Sequence, residues 1–166
     1  MRGGKMASKK GILPDPKYNN IVIAKFINQI MEQGKKTVAQ KIVYGCLDTL
    51  KEKIFKIEKK EIPALDIFDR ALKNIMPVIE VKGRRIGGAN YQVPTEVRGS
   101  RKITLGLRWL ITAARAKKGK SIKEKLVIEL LDALNNAGGA IKKKEDVYRM
   151  AQANRAFAHF ARFGRR

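Results

Sequence analysis

The chain has 166 residues and an apolar content of 44%, which is enough for one folded domain with a hydrophobic core. Its 37 lysines and arginines outnumber 15 aspartates and glutamates, so the net charge is +22 and the pI is near 10.4. This excess predicts a polyanionic partner, usually nucleic acid. A single cysteine excludes an intrachain disulfide, and no apolar run reaches the roughly 18 residues of a membrane span, so we expect an intracellular, soluble protein without a membrane partner.

The first half of the chain predicts a basic arm followed by three helices. The arm covers residues 1–19 and ends in a turn that contains two prolines. Apolar residues then recur at helical spacing, with Asn19 or Asn20 as the first cap and Thr37 as the second. Cys46 falls on the apolar face of the second helix and is expected to be a small core residue. The predicted helices span about residues 20–33, 37–57 and 63–76.

Residues 78–98 predict a β-hairpin that protrudes from the helices. Apolar and charged residues alternate on both sides of Gly87–Gly88, and paired glycines permit a chain reversal. The alternation predicts one apolar face that carries Ile79, Val81, Tyr91 and Val93, with charged residues such as Glu80 on the other face. Because an isolated ribbon is only marginally stable in water, we expect a partner to complete it, and a polyanion is the simplest choice.

The second half of the chain predicts three more helices, so the fold is mainly α, a six-helix bundle with one hairpin. Ser100 is the expected cap of the fourth helix, which ends near Ala116, and Ser121 with Glu124 has the spacing of a capping box for the fifth. The last helix opens with three lysines and continues to about Ala161. Three lysines at a helix start oppose the helix dipole, which indicates another use for their charge.

The fourth helix carries three arginines spaced by seven, Arg101, Arg108 and Arg115, which therefore share one face. A solvated arginine face explains this spacing, and so does contact with phosphates, which the neighbouring basic hairpin favours. Trp109 lies beside the inner stripe and is read as a core residue in preference to a stacking platform. Acidic residues are scarce here: only Glu96 occurs between Val81 and Lys123.

No sequence pattern points to catalysis. The chain has one histidine, His159, so a metal cluster or a Cys-His nucleophile pair is hard to assemble. The string GKKT at 34–37 lacks the glycine and the hydroxyl spacing of a phosphate-binding loop. We therefore expect a protein that is not an enzyme, with no catalytic residues, metal, cofactor or small-molecule substrate. A DNA-bending architectural protein is the alternative that composition alone permits.

Several strings resemble the family of the seventh protein of the small ribosomal subunit, in its bacterial type. They are PDPKYNN (14–20), AKFIN (24–28), GKK (34–36), IVYG (42–45), ALKNIMPVIEVKGRRIGGANYQVPTEVR (71–98), LRWLITAAR (107–115) and KKKEDVYRMAQANRAFAHF (142–160). The resemblance implies a single RNA-binding helical domain over residues 20–160, hairpin included, and a short basic tail over 161–166.

The resemblance also implies a function and a set of partners. Members of this family are structural proteins of the small subunit that bind the 3′ major domain of its rRNA and nucleate head assembly. Their hairpin lies near exit-site tRNA and the mRNA path, and the ninth and eleventh small-subunit proteins are neighbours. The implied location is the ribosome of the cytoplasm or of an organelle. The residues expected to face RNA are Lys35, Lys36, Lys82, Arg84, Arg85, Arg98, Arg101, Lys102, Arg108, Arg115, Lys142, Lys143 and Lys144.

Overall fold

The structure, a computed structural model, describes residues 11–59 and 61–164; residues 1–10 of the predicted arm lie outside this range. Within it, six α-helices and one antiparallel hairpin confirm the predicted mainly helical fold, and a 3-10 helix follows. In chain order the elements are α1 (Ile21–Ile30), α2 (Lys36–Glu58), α3 (Ala64–Ile75), β1 (Ile79–Ile86), β2 (Ala89–Glu96), α4 (Gly99–Ala116), α5 (Ile122–Leu134), α6 (Gly139–Ala153) and the 3-10 helix (Arg155–Gly164).

The core is built around α5, which packs against α2, α3, α4 and α6. Leu126 and Leu130 of α5 are fully buried, and each apolar side chain removed from water contributes about 1.5–3 kcal/mol. At the other end of the core, the rings of Phe26 and Phe68 lie 5.3 Å apart and join α1 to α3. Cys46 is fully buried as predicted, and burial raises the pKa of its thiol to about 12.

Two of the predicted helix caps are confirmed. The side chain of Asn20 accepts hydrogen bonds from the amide groups of Val22 and Ile23, at 2.7 and 3.3 Å, and starts α1. The hydroxyl of Ser121 accepts one from the amide of Glu124 at 3.4 Å and starts α5. These side chains satisfy amide groups that the first turn of a helix leaves without partners.

Other predicted boundaries are wrong. The first helix ends at Ile30 rather than near Gln33, because Gln33 and Gly34 adopt left-handed conformations that turn the chain. Thr37 and Ser100 are not caps, since α2 and α4 each begin two residues earlier than those caps require. Neither start is capped by a side chain, so in both places packing against the core decides where the helix begins.

The face assignment of the hairpin is also wrong. The two-residue turn Gly87–Gly88, with both φ values positive, pairs Arg84 with Tyr91 and Lys82 with Val93. Residues directly opposite each other share a face, so the two apolar residues of β2 lie beside cations of β1 and not beside Ile79 and Val81. A shift of one residue in register exchanges the two faces of a strand, and the sequence pattern did not fix that register.

The chain's own C-terminal segment covers one face of the hairpin. The last α-helix, α6, ends at Ala153 and not near Ala161 as predicted. The 3-10 helix that follows it packs against β2. The ring of Tyr91 lies 5.2 Å from those of Phe157 and Phe160, and Nη1 of Arg84 donates a hydrogen bond to the Phe160 carbonyl at 3.4 Å. The face that carries Tyr91 therefore has a partner within the chain and needs no polyanion to complete it.

Candidate nucleic-acid interface

The outer face of α4 is the most regular basic surface of the described residues. Arg101, Arg108 and Arg115 are all exposed, and at 1.5 Å per residue they extend over about 21 Å. The opposite face of the helix carries Leu107 and Leu110, which are fully buried. The three arginines are therefore fixed to the core by the helix that presents them.

Three adjoining clefts follow this face. The middle one, of about 290 Å³, lies between α1 and α4 and is lined by Arg108 and Arg115. Beyond Arg115 lies a cleft of about 470 Å³ that also contains Lys35, and beyond Arg108 lies one of about 610 Å³ that also contains Lys143. We refer to these four cations, Lys35, Arg115, Arg108 and Lys143, as the α4 strip. The structure thus brings together residues from three of the sequence strings.

Arg115 is held in place by the end of α1. Its guanidinium donates a hydrogen bond to the Ile30 carbonyl at 3.4 Å and forms an ion pair of 2.6 Å with Glu32. The Glu32 side chain is 71% exposed, and such surface pairs contribute only about 0–1 kcal/mol. A phosphate can therefore replace Glu32 at little cost, while the carbonyl keeps the guanidinium in position.

The three lysines at the start of α6 have different roles. Lys142 and Lys143 are exposed, but Lys144 is half-buried and its Nζ donates to the Asn74 carbonyl at 2.7 Å. Lys144 thus joins α6 to the end of α3. The prediction that these lysines face RNA is untested, and the geometry favours Lys142 and Lys143 over Lys144.

A buried carboxylate offsets the unfavourable position of these lysines. Oε1 of Glu129 accepts a hydrogen bond from the Ala140 amide at 2.7 Å, and Oε2 forms an ion pair of 2.8 Å with Lys117. Burial lowers the pKa of Lys117, but its hydrogen bond to Asp132 and its ion pair with Glu129 raise it overall. Gly138 has φ of 95°, and a Cβ there would lie 2.8 Å from Glu129 Oε1, so glycine is required for this approach. The negative charge of Glu129 therefore lies at the N-terminus of α6, where the helix dipole favours it.

At the base of the hairpin, Lys82 and Arg101 converge on Glu80, at 2.6 and 3.2 Å. Glu80 was predicted to be an outward-facing residue but is only 7% exposed. Burial raises the pKa of this carboxyl, and the hydrogen bonds from Lys82 and Arg101 overcome that effect and lower it. Arg101 therefore joins α4 to β1, and the sequence pattern gave no indication of it.

The remaining predicted residues are mostly exposed. Lys36, Arg85 and Arg98 are on the surface and Lys102 is half-buried, and no ion pair joins them to any residue in 11–59 or 61–164. Arg98 precedes the first residue of α4, and Arg85 lies two residues before the hairpin turn. Arg84 contacts the C-terminal segment, as described above. Of the thirteen predicted residues, Lys35, Arg108, Arg115 and Lys143 line the clefts along α4, and Lys82, Arg84 and Arg85 lie on the hairpin.

The N-terminal arm is anchored by residues that the sequence reasoning did not single out. Asp15 is 3% exposed; its carboxylate accepts hydrogen bonds from the amides of Lys17 and Tyr18, both at 3.1 Å, and from the Tyr44 hydroxyl at 2.6 Å. Burial, and then the bond to Asp15, raises the pKa of Tyr44 to about 12. The D-P-K-Y pattern is the available signal, because aspartate accepts from amides two and three residues ahead in such turns. Residues 15–18 are therefore held against α2.

No group of three or more His, Cys, Asp and Glu side chains within 11–59 and 61–164 could hold a metal ion. His159 is exposed, and its Nδ1 lies 2.8 Å from the Ala156 carbonyl oxygen. No helix in the described part of the chain is long and apolar enough to cross a membrane.

Sequence comparison decides what kind of protein this interface belongs to. The model of the family described as ribosomal protein S7p/S5e matches residues 2–155. The chain belongs to this family. It is therefore a structural, non-enzymatic protein of the small ribosomal subunit, located in the ribosome in the cytoplasm. The resemblance carried by the hairpin and C-terminal strings is confirmed.

Curated relatives are similar in sequence to this chain along almost their whole length. The chain is 55% identical over 154 residues to the "Small ribosomal subunit protein uS7" of Rhodopseudomonas palustris (strain BisB5), with 93% of this chain and 95% of the relative covered. It is 53% identical over 152 residues to the protein of the same name from Caldanaerobacter subterraneus subsp. tengcongensis, with 92% and 94% covered. The S7p/S5e assignment thus covers the arm, the helical body and the hairpin.

Proposed function

We propose that this S7p/S5e protein binds the 3′ major domain of small-subunit rRNA directly and nucleates assembly of the subunit head. The observation that carries the proposal is the α4 strip, whose four cations adjoin along one side of a rigid helical core. The only exposed carboxylate lining these three clefts is Glu32, and the buried Glu129 is neutralised by Lys117. The strip is therefore ready to accept phosphates.

The chemistry of recognition is electrostatic and depends on RNA shape. Side chains cannot read the deep, narrow major groove of an A-form helix, so phosphates and 2′-hydroxyls are the accessible groups. Arginine fits a phosphate with two parallel hydrogen bonds, which favours Arg108 and Arg115 as primary contacts. Each phosphate neutralised releases counterions and steepens the salt dependence by about 0.7–0.9 in log–log slope.

We further propose that the hairpin lies near exit-site tRNA and the mRNA path. Its eight-residue strands span on the order of 25 Å, and Arg85 near its turn is exposed. The Glu80–Arg101 pair fixes its base to α4, so RNA bound along α4 and a strand near the hairpin turn would be held at a defined separation.

The ninth and eleventh small-subunit proteins are the protein neighbours that we propose. A groove of about 610 Å³ between the hairpin base and α6 supports a protein contact, because its lining includes the exposed side chains of Val78 and Tyr148. This groove shares no lining residue with the three clefts along α4, so protein and rRNA contacts need not compete.

The proposal is tested by titrating the full chain with an isolated 3′ major domain RNA across a range of salt concentrations, with duplex DNA as competitor. We expect tight binding that duplex DNA does not displace and that weakens steeply with salt. Weak binding that duplex DNA abolishes would mean that the positive charge acts without specificity, and it would overturn the proposal of direct rRNA binding.

A further inference from the structure

The largest of the three clefts that the α4 strip lines differs from the other two because it contains the chain's single tryptophan. It lies between α4 and the start of α6 and has a volume of about 610 Å³. We call it the Trp109 cleft. Its lining consists of Arg108, Trp109, Thr112, Ala113, Ala116, Lys117, Glu129, Gly139 and Lys143.

Trp109 is only partly buried. One part of its side chain packs against the hydrophobic core, as the sequence predicts, and another part lines the cleft. A buried core residue would not line an open cleft of this size. Indole surface beside cations is a common feature of sites that bind unstacked bases, because every base has a π face that can stack on it.

The charges of the cleft favour a nucleotide over an uncharged apolar ligand. Arg108 and Lys143 are exposed at its opening, and neither forms an ion pair with a residue in the described ranges. Glu129 lies at the floor, fully buried, and is ion-paired with Lys117 at 2.8 Å. The opening is therefore positive and the interior is neutralised, which suits phosphates outside and a base inside.

We propose that the Trp109 cleft receives one unpaired nucleobase of the bound RNA, stacked against the indole, while Arg108 and Lys143 hold the flanking phosphates. This inference rests on the proposed rRNA binding and adds to it a contact that a purely phosphate-binding face lacks. The volume is within the range of about 300–1,000 Å³ typical of small-ligand sites, so a base and part of its sugar fit. Thr112 offers a hydroxyl that can donate to or accept from a base edge.

The intrinsic fluorescence of the intact protein tests this directly. Because Trp109 is the only tryptophan, its emission reports on this cleft alone. We expect the emission to be quenched when the 3′ major domain RNA is added, and the quenching to saturate at the same RNA concentration as binding measured by filter retention. Binding of the RNA with unchanged emission overturns the cleft proposal and leaves the proposed function intact. Failure of the RNA to bind at all overturns both.

Two substitutions at one position separate stacking from packing. Trp109→Leu keeps an apolar side chain against the core but removes the stacking surface, so we expect a loss of about tenfold in affinity for the RNA. Trp109→Phe keeps an aromatic ring and should lose only about threefold. Equal affinities for the wild type and both variants would overturn the proposal.

Two controls are needed, one for unfolding of the variants and one for the effect of removing an aromatic ring elsewhere on the surface. Thermal unfolding of each variant shows whether a loss of affinity comes from a loss of structure, and only variants that remain folded at the binding temperature are compared. Phe55→Leu replaces an exposed aromatic residue on α2 that lines neither the Trp109 cleft nor the other two clefts along α4. We expect its rRNA affinity to stay within about twofold of the wild type. If the Trp109 variants unfold, ultraviolet crosslinking of the wild-type complex decides: a nucleotide attached to Trp109 supports the cleft, and crosslinks elsewhere without one overturn it.

Discussion

The α4 strip and the hairpin carry charge of the same sign on very different supports. In α4, Arg108 stands on a helix whose other face is buried in the core, and its position follows from the fold. In the hairpin, two strands have no third strand beside them, and they are held by α6 packed against β1 and by the 3-10 helix packed against β2. Two side-chain contacts contribute, the ion pair of Glu80 with Arg101 and the packing of Tyr91 on the C-terminal segment.

This difference separates two kinds of function. Cations fixed by a core lose little freedom when they bind, so the α4 strip suits tight and permanent attachment to rRNA. A two-stranded ribbon at the edge of the domain can adjust its direction without unfolding the core, which suits the contact with tRNA and mRNA that we propose. Each prediction below changes one of the two supports or one of the two sets of charges.

The largest effect is expected from the buried carboxylate that supports the α4 strip. Glu129→Ala removes the partner of Lys117 and of the Ala140 amide, and we expect it to lower the free energy of unfolding by about 3 kcal/mol. Urea denaturation measures the loss. Glu124→Ala, at an exposed position of the same helix, is the control and should cost less than about 1 kcal/mol. Equal small losses would mean that α6 does not depend on Glu129.

The next effect is on rRNA affinity rather than on stability. Arg108→Ala should reduce affinity for the 3′ major domain about fivefold to tenfold and lower the log–log salt slope by about 1, because one phosphate contact is lost. Lys53→Ala is the matched control, since Lys53 is exposed on α2 and lines none of the three clefts along α4. A salt titration of both variants measures the slopes. If both variants lose affinity equally, net charge determines binding and the α4 strip has no special role.

A smaller effect is expected at the hairpin base. Glu80→Gln weakens the contacts to Lys82 and Arg101, and we expect a loss of about 1 kcal/mol in the free energy of unfolding at neutral pH. The folded-state pKa of Glu80 lies below its ordinary value of 4.5, so its charge stabilises the fold fully above pH 4.5 and less as pH falls through the lowered value.

The Glu80 prediction can be checked by its pH dependence. Thermal unfolding of the wild type and of Glu80→Gln should differ near neutral pH, and the two should converge in acid once the wild-type carboxyl is protonated. Hydrogen exchange of the strand amides then shows whether the loss is confined to the hairpin. A difference that stays constant down to the most acidic pH would mean that the charge of Glu80 does not stabilise the base.

The sequence predicted local features well and long-range features poorly. Helical periodicity and the Gly87–Gly88 turn depend on neighbours in the chain, so the six helices and the hairpin could be predicted. The pairing of Tyr91 with Arg84 depends on a register that alternation alone leaves open by one residue. The burial of Glu80 and Glu129 requires partners from other elements, Arg101 and Lys117, which no local pattern reveals. The same is true of the clefts that bring Lys35 and Lys143 to either end of α4.

The smallest effect on stability is expected near the hairpin turn, and it best distinguishes the role of the hairpin from that of the α4 strip. Arg85 is exposed near the hairpin turn, opposite Asn90, and has no ion pair within the described residues, so Arg85→Ala should change the free energy of unfolding by less than about 0.5 kcal/mol. Its affinity for the isolated 3′ major domain should stay within about twofold of the wild type, because the surface that we propose for that RNA lies along α4. Small subunits assembled with the variant should nevertheless retain exit-site tRNA less well.

Arg84→Ala is the companion variant, and it should also loosen the C-terminal segment, since Arg84 contacts the Phe160 carbonyl. A tenfold loss of rRNA affinity in Arg85→Ala would mean that the hairpin docks on the same RNA as α4, because only a shared binding surface would couple a charge at the turn to attachment of the body.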